Sequence, residues 1–444
     1  MTSTDTDSLQ KADNSTKRYT LLSVFLTILL DLIGFGMFIP ILPSLARTLN
    51  ATDAQSAYLS AIFSMGTLLS VMVLGKLSDQ VGRRKILITT IVMSLAAQAF
   101  TGLTPVFGSY LILALIRFLA GVAAGNISVA QAVIADITPL HERSKSMILV
   151  GVAFGAGFAL GPALGSLISY LSPDNPIVPI SLCAAGLNFL NLLLVVFKFK
   201  ETHHRFAHPH LSTIIKEAQR GAEHSGQSKA GTRETLALLL NRPFFKTVLL
   251  MQFIQVFGFV GVETILPLVL SDSYGMTQTK IYNSFLFLGV MVLFSHAALS
   301  RPMLKKAGEK ITLNTGQLCL TLGIFMIPFV APDSAGLYAA LTFLSFGSSL
   351  SNPALSGLVS RLSPHDQQGF ALGMAQSLSA GARILGPAFM GIMYEHLKGA
   401  PSLYISSGLL LIVTLIGMAG LQGLPPLRAL TTAPPPQVHT GEQS

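Results

Sequence analysis

Residues 75–85 read GKLSDQVGRRK, a short charged segment between two long apolar runs at 55–75 and 86–104. It holds one acid, Asp79, two glycines, Gly75 and Gly82, and three consecutive bases, Arg83, Arg84 and Lys85. That much charge cannot lie in hydrocarbon, so the segment turns tightly against the inner leaflet of a bilayer. Each flanking run is close to the 20 or so residues that a helix needs to cross a membrane. The segment is therefore the bend of a transmembrane helical hairpin.

The whole chain has the same character. Of its 444 residues 51% are hydrophobic and 11% charged, and the mean hydropathy is +0.61. Soluble domains carry roughly 25% charged residues, so a soluble domain is excluded, and so is a disordered or fibrous chain. Transmembrane barrels read as alternating segments of about ten residues. The runs here are long and unbroken, so the spans are helical. Twelve are expected, at 19–43, 55–75, 86–104, 110–134, 146–170, 177–197, 243–270, 280–299, 311–330, 335–360, 369–394 and 402–423. The polar stretch 198–242 divides them into two six-helix bundles, 19–197 and 243–424. Residues 1–18 form a polar tail, and 425–444, with Pro434, Pro435 and Pro436, a disordered one.

Loop charge sets the orientation. With the N-terminus cytoplasmic, the inner loops and tails hold 24 of the 29 Lys and Arg, and the outer loops hold three, Arg47, Lys280 and Lys398. Both termini are thus expected inside, in a bacterial cytoplasmic membrane. The net charge of +9 is a topology signal and implies no nucleic-acid partner. The chain has no Trp, and eight of its nine Tyr fall at span ends on the outer side. Cys183 and Cys319 lie inside apolar runs and read as small core residues. The first apolar run is too long for a signal peptide.

The two bundles repeat one another. Pro139, Gly161 and Pro162 recur 225 residues later as Pro364, Gly386 and Pro387, and Gly34-Phe35…Ile41-Leu42-Pro43 recurs as Gly258-Phe259…Ile265-Leu266-Pro267. Duplicated halves suit a transporter with its site at the repeat interface.

The segment at 75–85 resembles the signature G-x-L-[AS]-D-x-x-G-R-[RK] of the major facilitator superfamily, and a degenerate copy lies at Arg301–Lys310. The resemblance makes Gly75, Asp79, Gly82, Arg83 and Arg84 a cytoplasmic latch between the bundles. Span 5 carries Gly157, Gly161, Pro162 and Gly165, a pattern that resembles the antiporter motif of the superfamily's proton-driven drug exporters. Span 1, with Asp31 followed by Pro40 and Pro43, is similar to the D-x(8)-P-x-x-P helix of the twelve-helix drug:proton antiporters. Ile134–Thr138 with Glu142-Arg143 is most similar to the tetracycline efflux transporters. The chain departs from that group in spans 3 and 9, where Gln98 and Gln317 stand and no acid occurs.

Charge within a bilayer is costly, about 3 kcal/mol per group on insertion scales, so an intramembrane charge is a functional candidate. Four occur: Asp31, Arg117, Glu263 and Arg383. Asp31 is the expected proton carrier, or the partner of Arg117 in a structural ion pair. Arg117 keeps its proton. It either biases such a carboxylate or meets an anionic substrate group. Gln252 and Gln255 share a helix face. With Asn126, Glu263, Asn352 and Arg383 they are the substrate-cavity candidates.

The histidines His203, His204, His208, His210 and His224 show no metal-ligand spacing. No metal and no cofactor is expected. No P-loop occurs, and no nucleophile–base arrangement points to an enzyme. The expectation is a monomeric, proton-driven exporter of small amphipathic drugs, working by alternating access. Export of a metabolite, sugar or siderophore, and a non-transporting sensor of the same fold, are the alternatives.

Overall fold

The computed structural model describes residues 3–138, 140–199, 201–202, 232–364 and 367–422. The five linker histidines, Pro139 and the C-terminal proline run lie outside the described residues.

In hydrocarbon no water satisfies backbone N–H and C=O, so each apolar run closes its hydrogen bonds within a helix. A helix stands at each expected span. In the first half these are Ser3–Phe38, Asp53–Val81, Arg83–Phe107, Tyr110–Ala124 continued by Asn126–Ile137, Leu140–Leu171 and Ile177–Lys198. In the second half they are Phe245–Asp272, Gln278–Ser295, Arg301–Met326, Ala335–Arg361, Gln368–Leu397 and Ala400–Gly420. No strand occurs among the described residues. The chain is an all-α polytopic membrane protein.

Several expected boundaries shift. Span 1 ends at Phe38, and a short helix, Leu42–Thr48, follows. Pro40 and Pro43, which lack an N–H, fall at the break. The expected loop at 75–85 shrinks to a single residue. Helix runs to Val81 and resumes at Arg83, and Gly82 makes the turn with φ 107°. Its counterpart Gly308 turns the chain between spans 8 and 9 with φ 79°, inside the copy expected as a loop. Positive φ of this kind favours glycine. A helix, Thr232–Leu240, occupies the end of the stretch read as linker.

The repeat holds at the level of single contacts. A Cβ on Gly161 would stand 2.7 Å from the Ile33 carbonyl oxygen of span 1, and one on Gly386 would stand 2.5 Å from the corresponding Phe257 oxygen of span 7. Gly121 of span 4 lies against the Phe63 carbonyl of span 2, and in the second half Ser345 Oγ donates to Leu288 O at 3.2 Å. Small residues at these crossings let helix backbones approach closely, which is how helices associate in lipid. Arg83 of span 3 pairs with Asp136 of span 4 at 3.1 Å. Glu309 and Arg361, at the equivalent places, pair at 3.3 Å with the signs exchanged.

Among the described residues, the two most extensive contacts between the halves are span 5 on span 8 and span 2 on span 11. At the first, the buried Tyr282 lies against Gly165 and donates to Met37 O at 2.5 Å. At the second, Ala54 and Ala57 lie against Gly391.

Gly121→Ala should destabilise the protein by about 1–3 kcal/mol through overpacking against Phe63. Gly151→Ala, where an added methyl meets nothing within 4 Å, should be neutral or stabilising. Thermal unfolding in detergent distinguishes them, and equal melting temperatures would contradict the close-packed crossing.

Candidate functional site

Asp31 sits midway along span 1. It accepts a hydrogen bond from Asn126 Nδ2 of span 4, with Asn191 of span 6 beside it. Arg117 of span 4 is 4% exposed, and its guanidinium lies over the rings of Phe38 at 5.7 Å and Phe63 at 5.0 Å. No ion pair joins Asp31 to Arg117, so the structural-pair alternative does not hold in this conformation. Both border a cavity of about 40 Å³, lined also by Ser94, Gln98 and Phe35. Asp31 Oδ1 and Arg117 Nε have no hydrogen-bond partner. The volume suits about one water molecule. Cation–π contact supports the guanidinium without neutralising Asp31.

Sequence reasoning passed over Asn188 and Asn191, both fully buried in span 6. Asn188 Nδ2 donates to Gln98 Oε1 at 2.7 Å, which ties span 6 to the span-3 amide. Two asparagines three apart in an apolar run share one helix face, which is the signal that would have found them.

The second half repeats this site without its charge. Gln255 stands where the repeat places Asp31, and its Nε2 donates to Asn352 Oδ1 at 3.3 Å. Leu341, Thr342 and Phe343 stand at the level of Arg117. Gln252 donates to Ser379 Oγ of span 11 at 3.0 Å, so the two glutamines reach different neighbours. Glu263 is half-buried and Arg383 exposed. They act on one another electrostatically, without a direct ion pair. Their repeat counterparts, Ile39 and Phe158, are apolar.

The motif residues tie the first half together at one end. Buried Arg83 pairs with Asp79 at 2.6 Å and with Asp136, and it donates to Ser78 Oγ. Arg84 donates to Val196 O of span 6 at 2.5 Å, and the backbone N–H groups of Arg83 and Arg84 donate to Glu201 at 3.0 and 3.1 Å. A Cβ added at Gly75 would meet nothing within 4 Å. In span 5, Gly157 and Gly161 admit span 1 and Gly165 admits span 8, while the helix continues through Pro162.

Polar contacts between the halves gather at the opposite end. Arg47 holds Asp53 of its own half at 2.8 Å and Asp272 of the other at 2.6 Å. The Asp272 hydrogen bond, with that of Asp53, raises the Arg47 guanidinium above its ordinary range despite partial burial. Lys398 reaches Asp53 at 3.5 Å. Glu395, near the end of span 11, accepts from Thr52 Oγ1 at 2.6 Å and Ala54 N at 2.8 Å, which caps span 2 across the interface. A cavity of about 490 Å³ lies here, lined by Pro40, Arg47, Pro267 and Gln278 among others.

The sequence profile of the Major Facilitator Superfamily matches residues 24–332 and 297–440. Multidrug resistance protein 2 of Bacillus subtilis is 27% identical over 86% of this chain and 90% of its own length. Tetracycline resistance protein, class D, of Salmonella ordonez is 30% identical over 83% of this chain and 88% of its own. Among solved structures, the human organic anion transporter MFSD10 (TETRAN) matches with a TM-score of 0.62 at 22% identity, covering 90% of this chain and 99% of that one.

Arg47→Gln removes the side chain shared by the two halves. With Cys183 and Cys319 replaced by Ser and spin labels at Thr48 and Ser273, the variant should add a longer-distance population in pulsed electron resonance. An unchanged distribution would show that the Arg47 cluster does not hold this end shut.

Proposed function

The chain belongs to the Major Facilitator Superfamily, and we propose that it is a proton-coupled exporter of small amphipathic drugs in a bacterial cytoplasmic membrane. The observation that carries this reading is Asp31. It is a mid-span carboxylate held by amides beside a water-sized cavity, with a fixed cation, Arg117, on the same wall. A carboxylate without a direct counter-ion in low dielectric is poised between its protonated and charged forms. A structural salt bridge would freeze it in one form. The uncharged Gln255–Asn352 pair at the equivalent place supports a role that one half alone performs. The relatives named for tetracycline and multidrug resistance support drug substrates.

In this reading both termini are cytoplasmic and the Arg47 end faces outward. The halves 19–197 and 243–424 rock against each other. This conformation is shut at the Arg47 end, and the motif end is the side of entry. Asp31 takes up a proton when access is outward and releases it when access is inward. Asn126 holds the carboxylate in place with Asn191 beside it, and Arg117 stands as a fixed cation on the same cavity wall. No cofactor is called for, and the working unit is a monomer.

At one proton per substrate, each pH unit, about 1.4 kcal/mol, sustains about a tenfold substrate gradient. Asp31→Asn should reduce that gradient to unity in proteoliposomes. It should also abolish substrate-induced proton release while leaving the melting temperature near that of the parent. Retained pH-driven accumulation would sink the assignment.

A further inference from the structure

Arg383 is a guanidinium in the middle of span 11 that is exposed and makes no ion pair. Its surroundings follow from the contacts of its neighbours. Ser379, one turn before it, meets Gln252 of span 7. Gly391, two turns after it, meets Ala54 and Ala57 of span 2. At 100° per residue Arg383 falls between those two directions, about 40° from one and about 80° from the other. Leu385 and Ile392, exposed on the opposite side of the helix, face lipid. Arg383 therefore points into the cleft between the halves. Exposed Gln376, two turns earlier, continues the same polar face.

The other wall of the cleft is apolar. Spans 2 and 11 run antiparallel from the contact at Gly391, so eight residues, about 12 Å, bring Arg383 opposite residues 62–65. The face of span 2 that begins with Ala54 and Ala57 continues through Met65, Leu69 and Met72, which are 41%, 50% and 67% exposed. Methionine-rich surfaces adapt to varied apolar shapes. A fixed cation facing such a stripe fits a ligand with an apolar body and one acidic group. Glu263 forms no ion pair with Arg383, so it leaves the guanidinium donors open.

We infer that Arg383 is the anion-recognising residue of the transport cavity, and that the chain carries amphiphiles bearing a carboxylate or similar monoanion, their apolar part against Met65, Leu69 and Met72. This rests on the transport reading above, but binding tests it without any proton coupling.

The probe is a fluorescent arylalkyl carboxylate, compared with its neutral amide, titrated into the purified full-length protein in neutral detergent. The carboxylate should bind about tenfold tighter than the amide, a difference of about 1.4 kcal/mol. Arg383→Gln should erase that preference and leave amide binding unchanged. Arg383→Lys should keep part of it, which guards against a misfolded Gln variant, and Met65→Gln should weaken both ligands alike. A preference that survives Arg383→Gln overturns the proposal. So does equal loss of both ligands, or displacement of the carboxylate by phosphatidylglycerol without any carboxylate transport, which would mark a lipid site. If Asp31→Asn abolishes proton release yet still binds the carboxylate preferentially, both readings stand. If carboxylate preference fails while coupling persists, only this one falls.

Discussion

A charge placed inside a bilayer has to be met by an opposite charge, by amide dipoles, by an aromatic face or by water. The four intramembrane charges of this chain use different solutions, and that choice organises the rest of the structure. Asp31 takes amides, and Arg117 takes the rings of Phe38 and Phe63. Arg383 and Glu263 form no ion pair with one another, and Arg383 is exposed. Of these, the first pair is enclosed in a packed bundle, and Arg383 is the one inferred to border a cleft. Enclosure suits a small ion, and a cleft suits a molecule with bulk.

The duplication makes the placement of charge more telling than its count. Backbone crossings are repeated faithfully, Gly161 on Ile33 and Gly386 on Phe257, because close approach in lipid tolerates only small residues. The Arg83–Asp136 pair is repeated with its signs exchanged, which preserves the attraction and loses the sequence likeness. The intramembrane charges are not repeated. Gln255 replaces Asp31, and Phe158 stands opposite in the repeat to Arg383. Packing is thus shared by the halves while the chemistry is divided between them.

The sequence made the spans legible because apolar length is a direct consequence of bilayer thickness, and it exposed the repeat through glycine and proline, which packing holds fixed. It overestimated the connections. The run at 75–85 looked like a loop because it is charged, but helix continues to Val81 and only Gly82 is non-helical. Polar side chains on a helix that projects beyond hydrocarbon read the same as a loop. The partnership of Glu309 with Arg361 was hidden by its exchanged signs. The direction of Arg383 depends on which helix Gly391 touches, a contact more than 330 positions from its partners Ala54 and Ala57 in the chain, which no periodicity reports.

The Arg47 end shows how the fold stays able to move. Separating the halves there breaks Arg47–Asp272, Lys398–Asp53 and the Glu395 cap on span 2 together. Asp53 is buried, but Arg47, Asp272 and Lys398 are partly or largely exposed, so each pair contributes at most about 1 kcal/mol. Their sum is a few kcal/mol, comparable with the gap between two conformations that ligands can interconvert. A buried salt bridge at the same place would lock the end, since removing its partner would leave an uncompensated charge. An apolar seam would have no orientation preference. A cluster of shared, half-exposed ion pairs holds the end closed while leaving it within reach of the binding energy of a small molecule.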